Sequence, residues 1–176
     1  METFTSLKAF ISNPGFCEQR QIALEKLDIT AIDEPLIDLI EGFAKLRYCF
    51  TLQCCYGHFV AERNRKQYSI SELYLSDTNQ KVEYRLAYLA LCIEDSEQGQ
   101  NLLHRLAKIR DSDPNMIQLG CCEWFWERQI NSFTIQVEPK RYQYRDRIAV
   151  KVKEAIKIGT VRNRFFEELR KLVLLS

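Results

Sequence analysis

Tyr84-Arg85-Leu86-Ala87-Tyr88-Leu89-Ala90-Leu91-Cys92-Ile93-Glu94 is a near-continuous apolar run, too short for a membrane span and fitted to a strand buried on both faces. Asp95 or Ser96 follows as a helix cap. Leu102, Leu103, Leu106 and Ile109 then recur at helical spacing, which predicts a helix from Glu97 to about Ile109. Pro114 and Asn115 break the chain. Met116 to Trp126 reads as a strand, Gln129 to Ser132 as a hairpin turn, and Phe133-Thr134-Ile135-Gln136-Val137-Glu138 as an alternating strand stopped by Pro139. The centre of the chain is therefore a β-α-β-β block.

Outward from that block, helical order returns in the last 35 residues. Ile148, Val152, Ala155, Ile158, Val161, Phe165, Leu169 and Leu172 lie three or four apart with basic residues between them, which predicts one long helix bent at Gly159. Towards the amino terminus, residues 17 to 46 have helical spacing interrupted at Asp28 to Thr30. Asp33 is placed to cap the second part and Pro35 to occupy its first turn. Tyr48 to Cys55 switches to strand-forming residues and runs into Tyr56-Gly57-His58, read as a tight turn that needs the freedom of Gly57. Residues 62 to 81 are polar and basic, an exposed excursion with a short strand at its middle. The expected fold class is α+β: a mixed β-sheet covered by helices, with the β-α-β-β block and the long C-terminal helix, all within one domain, residues 1–176.

Composition narrows the functional classes. Of 176 residues 46% are hydrophobic and 28% charged, with six Gly and four Pro, the profile of a packed globular chain. No run reaches the roughly 18 apolar residues of a membrane span, and Met1-Glu2-Thr3-Phe4-Thr5 does not read as a secretory signal, so a cytoplasmic location and no membrane are expected. The seven cysteines, an odd number in mostly apolar surroundings, fit reduced thiols. Net charge is +1, but residues 140–171 hold 11 Lys and Arg against 4 Asp and Glu. Gly-rich phosphate loops, a Ser-His-Asp set and a His-Glu-x-x-His helix are all missing from the sequence.

Cys55 and His58 stand three apart across Gly57, a spacing that lets an imidazole approach a thiol; it suits an activated nucleophile, a ligand site, or simple packing of a small side chain beside a turn. A zinc reading would recruit Cys54 or Cys55, His58, and Cys121 or Cys122. Adjacent strand residues point to opposite faces, so each doublet supplies one ligand, three in all, and no metal is expected. Glu123-Trp124-Phe125-Trp126-Glu127 offers aromatic faces for a base or for the core. Lys140, Arg141, Arg145 and Arg147 suit phosphate contact or a solvated face, and His104 reads as a helix residue without chemistry.

Ile32-Asp33-Glu34-Pro35-Leu36-Ile37-Asp38-Leu39-Ile40, the aromatic strand Tyr48-Cys49-Phe50-Thr51, the stretch Cys55-Tyr56-Gly57 and the later β-α-β-β block follow one another from Gln19 to Leu172 in an order that resembles the tRNA wybutosine-synthesizing protein 3 family. Laid on that family's Ser-Ser-Cys-Ser-Gly-Arg turn, Gln53, Cys54, Cys55, Tyr56, Gly57 and His58 share the cysteine and the glycine, and His58 stands for the arginine. The resemblance implies an α+β fold, S-adenosylmethionine as cofactor, and methyl transfer to a tricyclic tRNA base. It makes tRNA or a nucleoside-like ligand the expected partner. Cys55 and His58 become the candidate catalytic residues, and Cys55, Gly57, His58 and Trp124 the expected cofactor pocket. Lys140, Arg141, Arg145 and Arg147 become the expected nucleic-acid contact. The alternative is a noncatalytic binding or interaction module on the same fold.

Overall fold

The computed structural model describes residues 4–60, 66–67, 81–139 and 146–174. Its elements in chain order are β1 (Phe4–Thr5), α1 (Phe16–Glu25), two 3-10 turns (Ile29–Ala31 and Glu34–Leu36), α2 (Ile37–Lys45), β2 (Cys49–Cys55), β3 (His58–Val60), β4 (Lys66–Gln67), β5 (Lys81–Arg85), β6 (Ala87–Ile93), α3 (Glu97–Ser112), β7 (Ile117–Cys122), α4 (Glu123–Trp126), β8 (Ser132–Val137), β9 (Arg147–Lys151) and α5 (Val152–Leu174). The class is α+β, with the long helix at the C-terminal end. No helix among the described residues is long and apolar enough to cross a membrane.

Among the described residues every strand pairing is antiparallel, and the strands divide into two sheets, ordered β1-β7-β8-β6-β2 and β4-β3-β5-β9, where the sequence suggested one mixed sheet. The crossover through α3 makes β6 and β7 run the same way, but β8 returns between them and pairs with both. Asn131, with φ of 59°, supplies the left-handed backbone just before β8, a conformation that asparagine tolerates better than most side chains.

The 84–94 run is buried as its composition requires. Leu89, Leu91 and Ile93 join Leu119, Phe133, Ile135 and Val137 in the main core. Ala90 and Cys92 lie on the other face with Phe50, Cys122, Phe16 of α1 and Phe125 of α4. Helix α5 packs on α2, α3, β5, β8 and β9. Ser96 caps α3 by accepting from the Gly99 N–H at 3.2 Å. Arg20 of α1 donates to the carbonyls of Ala44, Leu46 and Cys49, which closes the C-terminal end of α2 and fixes where β2 begins.

Two expectations about element type change. Ile148 is not in the long helix: Arg147–Lys151 forms β9, in which Ile148 and Val150 are buried and their neighbours exposed, because 148, 150 and 152 alternate as readily as 148 and 152 step by four. The predicted strand from Met116 to Trp126 stops at Cys122, and Glu123–Trp126 makes one helical turn, so Trp124 and Trp126 do not share a strand face.

The predicted tight turn at Tyr56-Gly57-His58 is a bend within a longer strand. Cys55 partners Tyr88 in one sheet and His58 partners Arg85 in the other, so the same register continues across both sheets. β2 and β3 thus form one bent ribbon strand, and β5 and β6 form its mate, bent at Leu86. Gly57 has φ of +85°, and a Cβ built there would lie 2.8 Å from the Ala87 Cβ and 3.1 Å from the Ala87 nitrogen. Glycine is required at this point for its backbone angle and for the closeness of the opposite strand.

Candidate functional site

The bend gathers side chains from three parts of the chain. Asp33 precedes the second 3-10 turn with φ of −55° and ψ of 126°, and its side chain does not cap that turn as the sequence suggested. Its Oδ2 instead accepts from the Tyr56 N–H at 2.8 Å and lies 3.2 Å from His58 Nε2. Beside them the Gly57 N–H donates to Cys55 Sγ at 3.4 Å. One ligand-type atom from each of Asp33, Cys55 and His58 lies within 4.8 Å of the others.

From the other side α5 contributes Arg162, only 3% exposed although it is an arginine. Its guanidinium donates to the Gly57 carbonyl at 3.0 Å and lies over the Tyr56 ring at 4.3 Å and near the Phe59 ring at 5.4 Å. Tyr56 stacks on Phe166 with centroids 5.0 Å apart and donates its hydroxyl to Asn163 Oδ1 at 3.1 Å. One turn beyond, Arg170 binds Asp38 at 2.7 Å and donates to the Pro35 carbonyl. The same helix therefore secures the Asp33-Glu34-Pro35 segment and the bend.

Charge is concentrated here. Hydrogen bonding to Asp33, then to Cys55, outweighs burial and raises the His58 imidazole to about 9. Burial pushes the Asp33 carboxyl up, but the hydrogen bonds from His58 and from the Tyr56 N–H prevail and hold it at about 2. Burial lowers Arg162, opposed by the nearby Tyr56 and Tyr84. At neutral pH the bend holds an imidazolium against a carboxylate, with a guanidinium behind it.

A pH dependence follows. Because His58 is raised from 6.5 to about 9, its stabilisation is complete below about 6.5 and is lost as pH rises through 9. Because Asp33 is lowered from 3.8 to about 2, its share is complete above about 4 and is lost as pH falls through 2. Asp33→Ala is expected to destabilise by about 1–2 kcal/mol at pH 6, counting the pair once and discounting for water that reaches it. The difference from wild type should narrow by pH 9.5, as read by urea unfolding at both pH values. A difference that does not change with pH would rule out the ion pair.

Of the residues expected at the site, Cys55, Gly57 and His58 are brought together. Cys55 is half-buried and His58 is 7% exposed. Trp124 is not with them. Register carries Cys55 through Tyr88 and Gln136 to the level of Gln118, so Trp124 lies three strands across and beyond the opposite end of β7. It is 43% exposed, with the Arg128 guanidinium 4.2 Å over its ring. Cys121 and Cys122 pair with β1 at that same far end, which removes them from any metal set with His58. Lys140, Arg141 and Arg145 lie outside the described residues. Arg147 is exposed and opens β9, where it pairs with Arg85. His104 is exposed on α3. A groove of about 640 Å³ beside the start of α5 counts Met116, Pro139, Lys151, Lys153, Glu154 and Lys157 among its walls, so its charge is mainly positive.

Asp33 and Arg162 were missed as site residues. Asp33 carried two sequence signals, its suitability as a cap and its place in the Asp-Glu-Pro start, and neither pointed to the bend. Arg162 also carried one: it falls four after Ile158 and four before Phe166, on the buried stripe of a helix whose other cations lie elsewhere.

No family model matches the chain, and no curated protein matches it in sequence. Solved structures do match. A second structure of the PH1069 protein from Pyrococcus horikoshii is 15% identical, covering 89% of this chain and 87% of that one, with a TM-score of 0.45. A hypothetical protein from Aeropyrum pernix is 13% identical over 82% of this chain and 99% of its own, with a TM-score of 0.44. The chain is similar in fold to the PH1069 protein from Pyrococcus horikoshii OT3, at 14% identity over 94% of this chain and 96% of that one, with a TM-score of 0.53.

Proposed function

We propose that this chain is a divergent member of the tRNA wybutosine-synthesizing protein 3 family that binds a nucleoside-like or adenosyl ligand at the bend, in a methyltransferase-like role in tRNA modification. The observation that supports this reading is the meeting of its two motifs: the Asp-Glu-Pro start and the Cys-Tyr-Gly-His bend, 22 residues apart in sequence between Asp33 and Cys55, share the Asp33 carboxylate. S-adenosylmethionine carries an amine, a carboxylate and a ribose diol. The bend offers matching charge types in Asp33, His58 and Arg162. The lysine-lined groove beside α5 suits tRNA phosphates.

A second reading, a noncatalytic binding module, is favoured by one observation. The cations at the bend are engaged within the chain, His58 by Asp33 and Arg162 by the Gly57 carbonyl. Calorimetric titration with S-adenosylmethionine and with bulk tRNA separates the two. Saturable S-adenosylmethionine binding, weakened at least about tenfold by Cys55→Ala or His58→Ala, is the expected result. Binding of neither ligand by wild type would leave the second reading. Any tRNA affinity should fall with salt at a slope of roughly one per phosphate contacted.

A further inference from the structure

We propose that Asp33, Cys55 and His58 form a transition-metal site suited to zinc, with three protein ligands and a fourth position left for water or a small ligand. The inference rests on the same bend as the reading above but does not depend on its nucleoside ligand. It also revises the expectation of no metal, which was made with Cys121 or Cys122 as third ligand and Asp33 assigned to a helix cap.

The geometry is that of converging donors. The three ligand-type atoms lie within 4.8 Å of one another, and the Asp33 oxygen and His58 nitrogen are already 3.2 Å apart. Zinc bond lengths of about 2.0–2.3 Å at tetrahedral angles place ligand atoms roughly 3.3–3.6 Å apart, so the set has only to close by about an ångström. An oxygen, a nitrogen and a sulfur donor together select a borderline-soft ion over magnesium or calcium. Three ligands with one open position are the pattern of a reactive zinc centre, in contrast to a closed structural one.

Two further features fit. The ligands are oriented from behind, Asp33 by the Tyr56 N–H at 2.8 Å and Cys55 by the Gly57 N–H at 3.4 Å. A carboxylate and a thiolate neutralise a divalent ion, so the centre adds no net charge beside the buried Arg162 guanidinium. The cation takes the place of the proton held between carboxylate and imidazole, which leaves to solvent together with the proton of the Cys55 thiol, so that His58 ligates as a neutral ring and Cys55 as a thiolate.

The test is titration of the full chain, freed of metal by a chelator and dialysed, with cobalt(II) chloride followed by zinc chloride. One cobalt per chain is expected, with a cobalt–thiolate charge-transfer absorption that zinc abolishes. Cys55→Ser should lose that absorption, and Asp33→Asn and His58→Gln should weaken cobalt binding at least about tenfold. Cys122→Ser and Cys17→Ser should keep both. Absence of the absorption in wild type, its retention in Cys55→Ser, or its loss in the Cys17 or Cys122 variant would each overturn the site. Cys55→Ser is nearly isosteric at a half-buried position, so its circular dichroism should match wild type, which separates lost ligation from lost folding. Repeating the S-adenosylmethionine titration with and without zinc keeps the two readings apart, since either ligand can bind when the other fails.

Discussion

Gly57→Ala is expected to lower stability by about 3 kcal/mol, a fall in melting temperature of roughly 6–12 °C for a chain of this size. Two causes add. The backbone at φ +85° is costly for any residue with a Cβ, by about 1 kcal/mol or more. The new methyl would also lie 2.8 Å from the Ala87 Cβ and 3.1 Å from the Ala87 nitrogen. The opposite strand cannot retreat, because it is paired on both sides of that point, at Tyr88 and at Arg85. Adding Ala87→Gly should restore only part of the loss, since it removes the methyl-to-methyl contact and leaves the backbone angle and the nitrogen. Thermal and urea unfolding of the single and double variants read this directly, and a Gly57→Ala protein as stable as wild type would refute the bend as described.

Arg162→Leu is expected to cost about 2–3 kcal/mol and to weaken any ligand at the bend. Leucine leaves the Gly57 carbonyl without its guanidinium donor and removes the cation from the Tyr56 ring. Relief from burying a charge offsets part of the loss. Arg162→Lys should recover less than half, because a point-like ammonium cannot both bond the carbonyl and lie flat on the aromatic face. Urea unfolding of the three proteins orders them as wild type, lysine, leucine. An Arg162→Leu chain no weaker than wild type would show the guanidinium to be incidental.

The parts of the fold legible in the sequence are those set by local periodicity. The 84–94 run, the Ser96 cap, the inner face of α3 and the alternation of Phe133 to Val137 each report their own burial, and together they specify the β-α-β-β block. The unread parts depend on contacts between distant segments. A glycine with a left-handed backbone looks the same in sequence whether it closes a turn or bends a strand; what decides is Ala87, thirty residues on. An aspartate before a helix looks like a cap until the tertiary fold brings the Tyr56 N–H and His58 within its reach. Trp124 was placed by β-propensity, which is weak for a four-residue stretch at a sheet end. At the candidate site, the Cys55–Gly57–His58 spacing was readable and the carboxylate and guanidinium that surround it were not.

The shared register of the bent ribbon limits how related chains can vary in length. A residue gained or lost between Gln53 and Val60, where one register runs through both sheets, would reverse the inward and outward alternation of one sheet relative to the other unless β5 or β6 changed in step or a bulge absorbed it. Insertions and deletions in this ribbon are therefore tolerated in matched pairs, or as a bulge of the kind β2 already carries between Thr51 and Gln53, where one residue has no partner in β6.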